Sequence, residues 1–153
     1  MKSNKQGFTI IEVVLVLAIA GLIFLMIFIA LPAMQRGQRD NGRKNDVSIV
    51  AAAINNYRTN NRVLTNMKSA DLTKYIDKLD QYDKSSQVMV VSSDRAEVPA
   101  DKIIVRVGAV CPDILPAPGT TSIKFKKQSS STAAVAALLE NNGSQKQVFC
   151  ASS

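Results

Sequence analysis

Residues 7–36 read GFTIIEVVLVLAIAGLIFLMIFIALPAMQR, and this stretch decides how the chain is organised. Val13 to Leu31 form an unbroken block of 19 positions without a charged or amide side chain. At about 1.5 Å of rise per helical residue the block reaches roughly 28 Å, close to the ~30 Å hydrocarbon core of a bilayer. The stretch therefore predicts one membrane-spanning helix over about residues 10–33.

The composition excludes several classes of chemistry. The 153 residues carry a formal net charge of +7 and include no His and no Trp. Catalytic systems that need His, His-ligated zinc and haem with a proximal His are therefore impossible. The basic residues are scattered and aromatic side chains are few, so stacking platforms for nucleic acid are not indicated. We expect no enzymatic activity, no metal and no cofactor, and the composition leaves nucleic-acid binding open.

The chain has two cysteines, Cys111 and Cys150. They are too few for a four-cysteine metal site and lack C-x-x-C spacing. One disulfide is the simplest interpretation and would indicate an oxidising compartment outside the membrane. Two unpaired thiols are the alternative, because a bridge requires a geometry that sequence does not show.

The amino terminus departs from a secretory signal peptide. No A-x-A-like cleavage site follows the apolar block, so the block is expected to stay in the mature protein. A plain signal anchor does not explain Glu12, which lies inside the hydrophobic stretch that starts at Phe8. A carboxylate there is costly and needs a partner. Cleavage between Gly7 and Phe8 would create an α-amino group four residues before Glu12, on the same helical face.

These residues give the chain its resemblance to a family. A short basic leader ending in Gly7, then Phe8, Glu12 and about twenty apolar residues resemble the amino-terminal signature of type IV pilins and pseudopilins. The resemblance implies that a prepilin peptidase cuts after Gly7, removes residues 1–7 and N-methylates Phe8. It also implies that Glu12 neutralises the Phe8 amine of an adjacent subunit during filament assembly.

The resemblance implies a role as well. The first interpretation is a pilin that polymerises through its apolar helix into a type IV pilus, with adhesion, twitching motility or DNA uptake as possible uses. Its partners would be copies of itself, minor pilins, the prepilin peptidase and the assembly platform. The alternatives are a pseudopilin or minor pilin of a type II secretion or competence system, and a single-pass anchored binding protein that does not polymerise.

The orientation in the membrane has conflicting indications. Two basic residues, Lys2 and Lys5, precede the span, and four follow it: Arg36, Arg39, Arg43 and Lys44. The positive-inside rule alone would place the carboxyl side in the cytoplasm. The resemblance implies the opposite, with a cytoplasmic amino terminus, the head outside and a final place in an extracellular filament. We follow the resemblance, because the charge difference is small and a cytoplasmic head would leave the cysteine pair without a use.

Helical character is expected to continue to about residue 60. Val47, Val50, Ala51, Ile54 and Tyr57 follow the spacing of one stripe of an amphipathic helix. Between the two halves, the segment from Pro32 to Asn45 contains residues that favour bending or melting: Pro32, Gly37 and Gly42. The resemblance gives such flexibility a use in filament packing, and a simple linker is the alternative.

Residues 61–153 are predicted to form a globular α/β head, with a region 111–150 bounded by the cysteines. Ser69 to Tyr82 reads as a short helix with Ser69 as N-cap. Three runs read as strands: Val88–Val91, Ile103–Val107 and Ile123–Phe125. Thr132 to Glu140 is Ala-rich and suits a helix, but Asn142-Gly143 followed by Gln147 to Cys150 favours a hairpin with a strand over Val135–Leu139. The expected class is α+β and pilin-like, with a long helix packed on a small antiparallel sheet.

Overall fold

The computed structural model describes residues 7–84, 86–141 and 145–153. The predicted Asn142-Gly143 turn lies outside the described residues. Within these described residues there are two helices, α1 Ile10–Asn61 and α2 Ser69–Leu72. The strands are β1 Val88–Val91, β2 Arg95–Glu97, β3 Ile103–Val107, β4 Ala109–Val110, β5 Ser122–Lys124, β6 Lys126–Lys127, β7 Ala133–Leu139 and β8 Gln147–Ser152.

Contacts divide the chain into two compact units, Met1–Gln35 and Arg36–Ser153. Helix α1 runs through both of them, with Pro32 inside it. Arg62 follows its last residue with a φ of 62°, and its N–H donates to the Arg58 carbonyl at 2.7 Å. A left-handed residue at this place ends a helix, so the predicted end near residue 60 is close to the observed one.

In the unit Arg36–Ser153, the amphipathic half of α1 packs on a sheet. Val47, Val50 and Ile54 are fully buried, whereas Ala51 and Tyr57 are partly buried at the edge of the same cluster. The predicted stripe is therefore confirmed.

The main sheet has the strand order β1-β3-β7-β8. β3 with β7 and β7 with β8 are antiparallel, and β1 with β3 is parallel. The α+β class with a long helix and a mainly antiparallel sheet is confirmed, and the parallel edge pair was not predicted.

Strand β7 is one of the two inner strands of the main sheet, and all seven of its residues are buried. Its odd-numbered residues from Ala133 to Ala137 belong to the cluster under α1, and its even-numbered ones, such as Ala136, belong to a second cluster on the other face. A strand covered on both faces has no polar alternation, which explains why its composition also suited a helix. The hairpin with β8 is confirmed, and the helical alternative for Thr132 to Glu140 is wrong.

Two small antiparallel pairs, β2 with β5 and β4 with β6, lie apart from the main sheet. Ile123 of β5 and Ala109 of β4 are buried in the second cluster, which Cys111 and Cys150 border. The first two predicted strands, Val88–Val91 and Ile103–Val107, are confirmed. The third, expected over Ile123–Phe125, is observed as β5 and pairs with β2 outside the main sheet.

The predicted helix over Ser69 to Tyr82 is wrong beyond Leu72. The Asp80 and Gln81 N–H groups, which a helix would direct to the Ile76 and Asp77 carbonyls, each donate to Asp46 at 2.7 Å. Lys84 Nζ donates to the Ile76 carbonyl at 2.6 Å and the Asp77 carbonyl at 3.0 Å. Side chains thus satisfy the backbone groups that a helix would pair.

The predicted N-cap role of Ser69 is also wrong. Lys68 is the N-cap residue, and Ser69 Oγ accepts a hydrogen bond from the Val90 N–H at 3.1 Å. The hydroxyl therefore joins α2 to the edge strand β1. Leu72, Ile76 and Leu79 are buried although the chain beyond Leu72 is not helical.

Candidate functional site

Among the described residues of the unit Met1–Gln35, the large side chains of the apolar half of α1 are exposed. Phe8 is 89% exposed, Ile10 85% and Phe28 76%. Within the described residues, α1 is the one helix long and apolar enough to cross a membrane; its most apolar window has a mean hydropathy of 3.2 and none of it is buried. A contiguous apolar surface of this extent marks a site of contact with lipid or protein.

Thr9 and Glu12 form a capping box at the start of this helix. The Thr9 N–H and hydroxyl donate to Glu12 Oε2 at 2.9 and 2.8 Å, and the Glu12 N–H donates to Thr9 Oγ1 at 3.4 Å. A Thr three residues before a Glu is the known sequence signature of this motif, so the signal for this cap, which was not predicted, is present in the sequence. The cap directs the carboxylate toward the amino end of the helix, where Phe8 lies.

The bond between Gly7 and Phe8 lies outside regular structure. Residues 7–9 precede the helix and are exposed, and no atom lies within 4 Å of the place that a Gly7 Cβ would occupy. Nothing among the described residues covers the predicted cleavage bond.

The two predicted hinge glycines have different surroundings. A Cβ on Gly37 would meet open space, but one on Gly42 would lie 2.9 Å from Gln81 Cγ. The absence of a side chain at Gly42 therefore leaves room for Gln81, whose backbone N–H is bound by Asp46 of α1. Whether Pro32, Gly37 and Gly42 lend α1 flexibility stays a prediction.

Two buried aspartates that were not predicted as functional residues join α1 to the head. Asp46, which is fully buried, accepts the Asp80 and Gln81 N–H groups. Asp40 does the same at the end of β7, where the Glu140 and Asn141 N–H groups donate to it at 2.7 and 2.9 Å. The sequence offered one signal: both lie near the buried stripe of α1, where an unpaired carboxylate would be costly.

An ionic cluster surrounds the end of β7. Arg39 Nη2 and Arg43 Nη2 lie 2.7 and 3.1 Å from the Glu140 carboxylate, and Arg43 Nη1 donates to the Leu138 carbonyl at 2.9 Å. The hydrogen bond from Arg39 holds the pKa of Glu140 below its ordinary value, against the opposing effect of burial. Arg39 and Arg43, two of the four basic residues that follow the span, thus form ion pairs with a residue of the head.

The disulfide between Cys111 and Cys150 is present, with a Cα–Cα distance of 5.8 Å. It connects the segment after β4 to strand β8. The prediction of one bridge is confirmed, and the alternative of two free thiols is wrong.

Comparison with known families finds one match, between residues 2–28 and the family described as the prokaryotic N-terminal methylation motif. The chain carries this methylation motif. The motif is consistent with a type IV pilin-like protein, so the resemblance carried by Gly7, Phe8 and Glu12 is confirmed for the amino terminus. No curated protein and no solved structure matches the chain. The methylation motif ends before Pro32, and it says nothing about the head.

Proposed function

We propose that this protein is a filament subunit of the type IV pilin kind, which polymerises through the apolar half of α1. The observation that carries the proposal is that none of the most apolar window of this half-helix is buried, and that most of the half-helix lies within the methylation motif. Its surface has no polar stripe, so it suits lipid before assembly and the helices of other subunits afterwards. The head would then face the outside, where its disulfide is stable.

The first step of the proposed function is processing at Gly7. A prepilin peptidase would cut the exposed bond before Phe8 and methylate the new amine. Loss of residues 1–7 removes Lys2 and Lys5, so the mature chain of 146 residues has 17 basic and 12 acidic side chains and a net charge of +5. Gly7→Ala should block or slow the cleavage, and an unchanged mature mass would refute the assigned site.

The second step is the pairing of the Phe8 amine with a Glu12 carboxylate of a neighbouring subunit. The capping box supports this role, because it holds the Glu12 carboxylate at the amino end of the helix before any partner arrives. In a low-dielectric environment an amine and a carboxylate attract each other strongly. Pairing would also remove the cost of two isolated charges within the membrane.

Glu12→Gln tests the charge separately from the cap. Glutamine can still close a capping box, so insertion, cleavage and helix formation should remain while filament yield falls severely. Thr9→Ala is the matched variant: it removes the hydroxyl of the cap and keeps the charge, and should reduce yield far less. The measurement is the amount of protein in a sheared surface fraction, with mass spectrometry for cleavage and methylation. Normal filaments from Glu12→Gln would refute the pairing.

The same fractions separate the alternatives. A major pilin should be abundant in sheared filaments, whereas a pseudopilin or minor pilin should be processed in the same way but remain scarce there. An anchored binding protein should keep Met1 and the mass of the whole precursor. Adhesion, motility and DNA uptake require assays of their own once filaments have been shown.

A further inference from the structure

The head contains a groove of about 490 Å³ between the segment that follows Cys111 and the β2–β5 pair. One side is apolar and includes Pro112, Ile114 and Pro116. The other side carries two cations and hydroxyl groups, with Arg95, Lys124 and Ser122 among its residues. The groove lies within the unit Arg36–Ser153.

The apolar side of the groove is exposed to a degree unusual for this head. Among the described residues outside the apolar helix, the large hydrophobic side chains left exposed are Val63, Ile114 and Leu115, and two of these three belong to the segment after Cys111. Ile114 is 87% exposed. The disulfide holds one end of this segment, and a hydrogen bond of 2.7 Å from the Gly119 N–H to the Lys146 carbonyl holds the other. The apolar surface is therefore presented on an anchored loop.

The polar side holds two like charges together. Arg95 and Lys124 are direct cross-strand partners in the β2–β5 pair. The next pair, Ala96 with Ile123, faces the second apolar cluster, so both cations point away from it. Like charges directly opposite each other destabilise a sheet. The backbone register nevertheless fixes this pair in place.

Neither cation has a carboxylate within ion-pair distance in the part of the chain that the structure describes. Neighbouring cations differ: Arg106 and Lys127 share Asp94 at 2.8 and 3.0 Å, and Lys126 lies 2.8 Å from Asp113. Glu97 is on the same face of β2 as Arg95 but forms no such pair. A bound anion would relieve the repulsion that this chain leaves uncompensated.

We propose that this groove binds an acidic peptide segment of another protein, with a carboxylate on Arg95 and Lys124 and an adjacent aliphatic side chain against Ile114. Two neighbouring cations can hold one carboxylate by charge-assisted hydrogen bonds. The apolar side requires an aliphatic group, which a nucleic acid lacks. The lining has no aromatic side chain on which a base could stack. Peptide therefore fits the two sides of the groove better than nucleic acid does.

The test uses the full chain in detergent and fluorescein-labelled eight-residue peptides, measured by fluorescence anisotropy. The probe contains alternating Leu and Asp; one control peptide has Asn for Asp, and the other has Ala for Leu. The probe should bind at least about tenfold more tightly than either control, as expected for a charge-assisted contact joined to apolar burial. Arg95→Gln with Lys124→Gln should abolish this preference, and Ile114→Ser should weaken binding of the probe several-fold.

The matched control removes the same charge elsewhere: Lys74→Gln with Lys78→Gln, two exposed positions, should leave binding unchanged. Equal binding of the Asn peptide, or binding that survives loss of Arg95 and Lys124, would overturn the proposal. Tighter binding of a single-stranded oligonucleotide through the same two residues would overturn it in favour of nucleic acid. Without peptide, Lys124→Gln should keep or raise the melting temperature, and a clear fall would contradict the uncompensated repulsion.

Discussion

At the scale of single residues, Asp46 has the largest expected effect on the head. Its buried carboxylate accepts two backbone N–H groups that the loop 76–81 pairs with nothing else. Asp46→Ala should lower the free energy of unfolding by about 2–6 kcal/mol, because two part-buried backbone donors lose their acceptor and each loss costs about 1–3 kcal/mol. Urea unfolding of the full chain in detergent measures this. Asp77→Ala, at an exposed position, is the control and should change stability little; an equal loss there would contradict the role of Asp46.

Glu140 makes the stability of the head depend on pH. Its pKa in the folded protein is lowered, first by the hydrogen bond from Arg39. A lowered folded pKa contributes stability that is present above the unfolded pKa of about 4.3 and lost as pH falls through the folded value. Compared with Glu140→Gln, the wild type should be more stable at pH 6, and the difference should shrink below about pH 4. Urea midpoints of the two proteins between pH 3 and pH 7 test this. If the advantage of the wild type grew as the pH fell, the predicted direction of the pH dependence would be wrong.

At the scale of elements, the glycines of α1 allow a matched comparison. Gly37→Ala meets open space and should stabilise the helix by up to about 1 kcal/mol. Gly42→Ala should stabilise the protein less, or destabilise it, because its Cβ would press on the Gln81 side chain. Gln81 cannot easily move away, because its backbone N–H is hydrogen-bonded to Asp46. Urea midpoints of the two variants give the order. If Gly42→Ala raised the urea midpoint as much as Gly37→Ala, the contact with Gln81 would have no effect on stability.

The structure also narrows where α1 can lose order. The segment from Pro32 to Asn45 contains residues that favour bending or melting, but its later part is tied to the head through Arg39, Asp40 and Arg43. Unwinding there would break these contacts and expose buried donors. Among the described contacts, the segment from Pro32 to Gln38 makes no hydrogen bond of this kind to the head, so we expect any loss of helical order there rather than in the later part.

The elements that sequence predicted correctly are those with a local signal. The block Val13–Leu31 is apolar without interruption, and the runs that became β1 and β3 are β-branched. The wrong predictions depend on partners far along the chain. Asp46 accepts the N–H of Asp80, 34 residues away, which the predicted helix would have paired with Ile76. The parallel pairing of β1 with β3 involves no tight turn that the sequence could reveal. Sequence periodicity carries no information about such distant hydrogen bonds. The groove could not be predicted from the sequence for the same reason: Arg95 and Lys124 become neighbours only through the register of β2 with β5.

At the scale of the whole molecule, the proposed function requires a head that stays folded while its helix exchanges lipid for other subunits. Both apolar clusters consist of residues from Val47 onward, and the disulfide lies in the same unit. The fold of the head therefore needs none of the exposed apolar side chains before Arg36.

A truncated chain that begins at Arg36 should accordingly be soluble, form the Cys111–Cys150 bond and unfold cooperatively in urea. A second truncation that begins at Val47 is the matched control: it keeps both clusters but removes Asp40 and Asp46, leaving four backbone N–H groups without their acceptors. It should be less stable by several kcal/mol, on the order of 1–3 kcal/mol for each donor that stays buried, or fail to fold. Equal urea midpoints would show that α1 holds the head by apolar packing alone, and aggregation of the longer chain would show that the head depends on the membrane half of its helix.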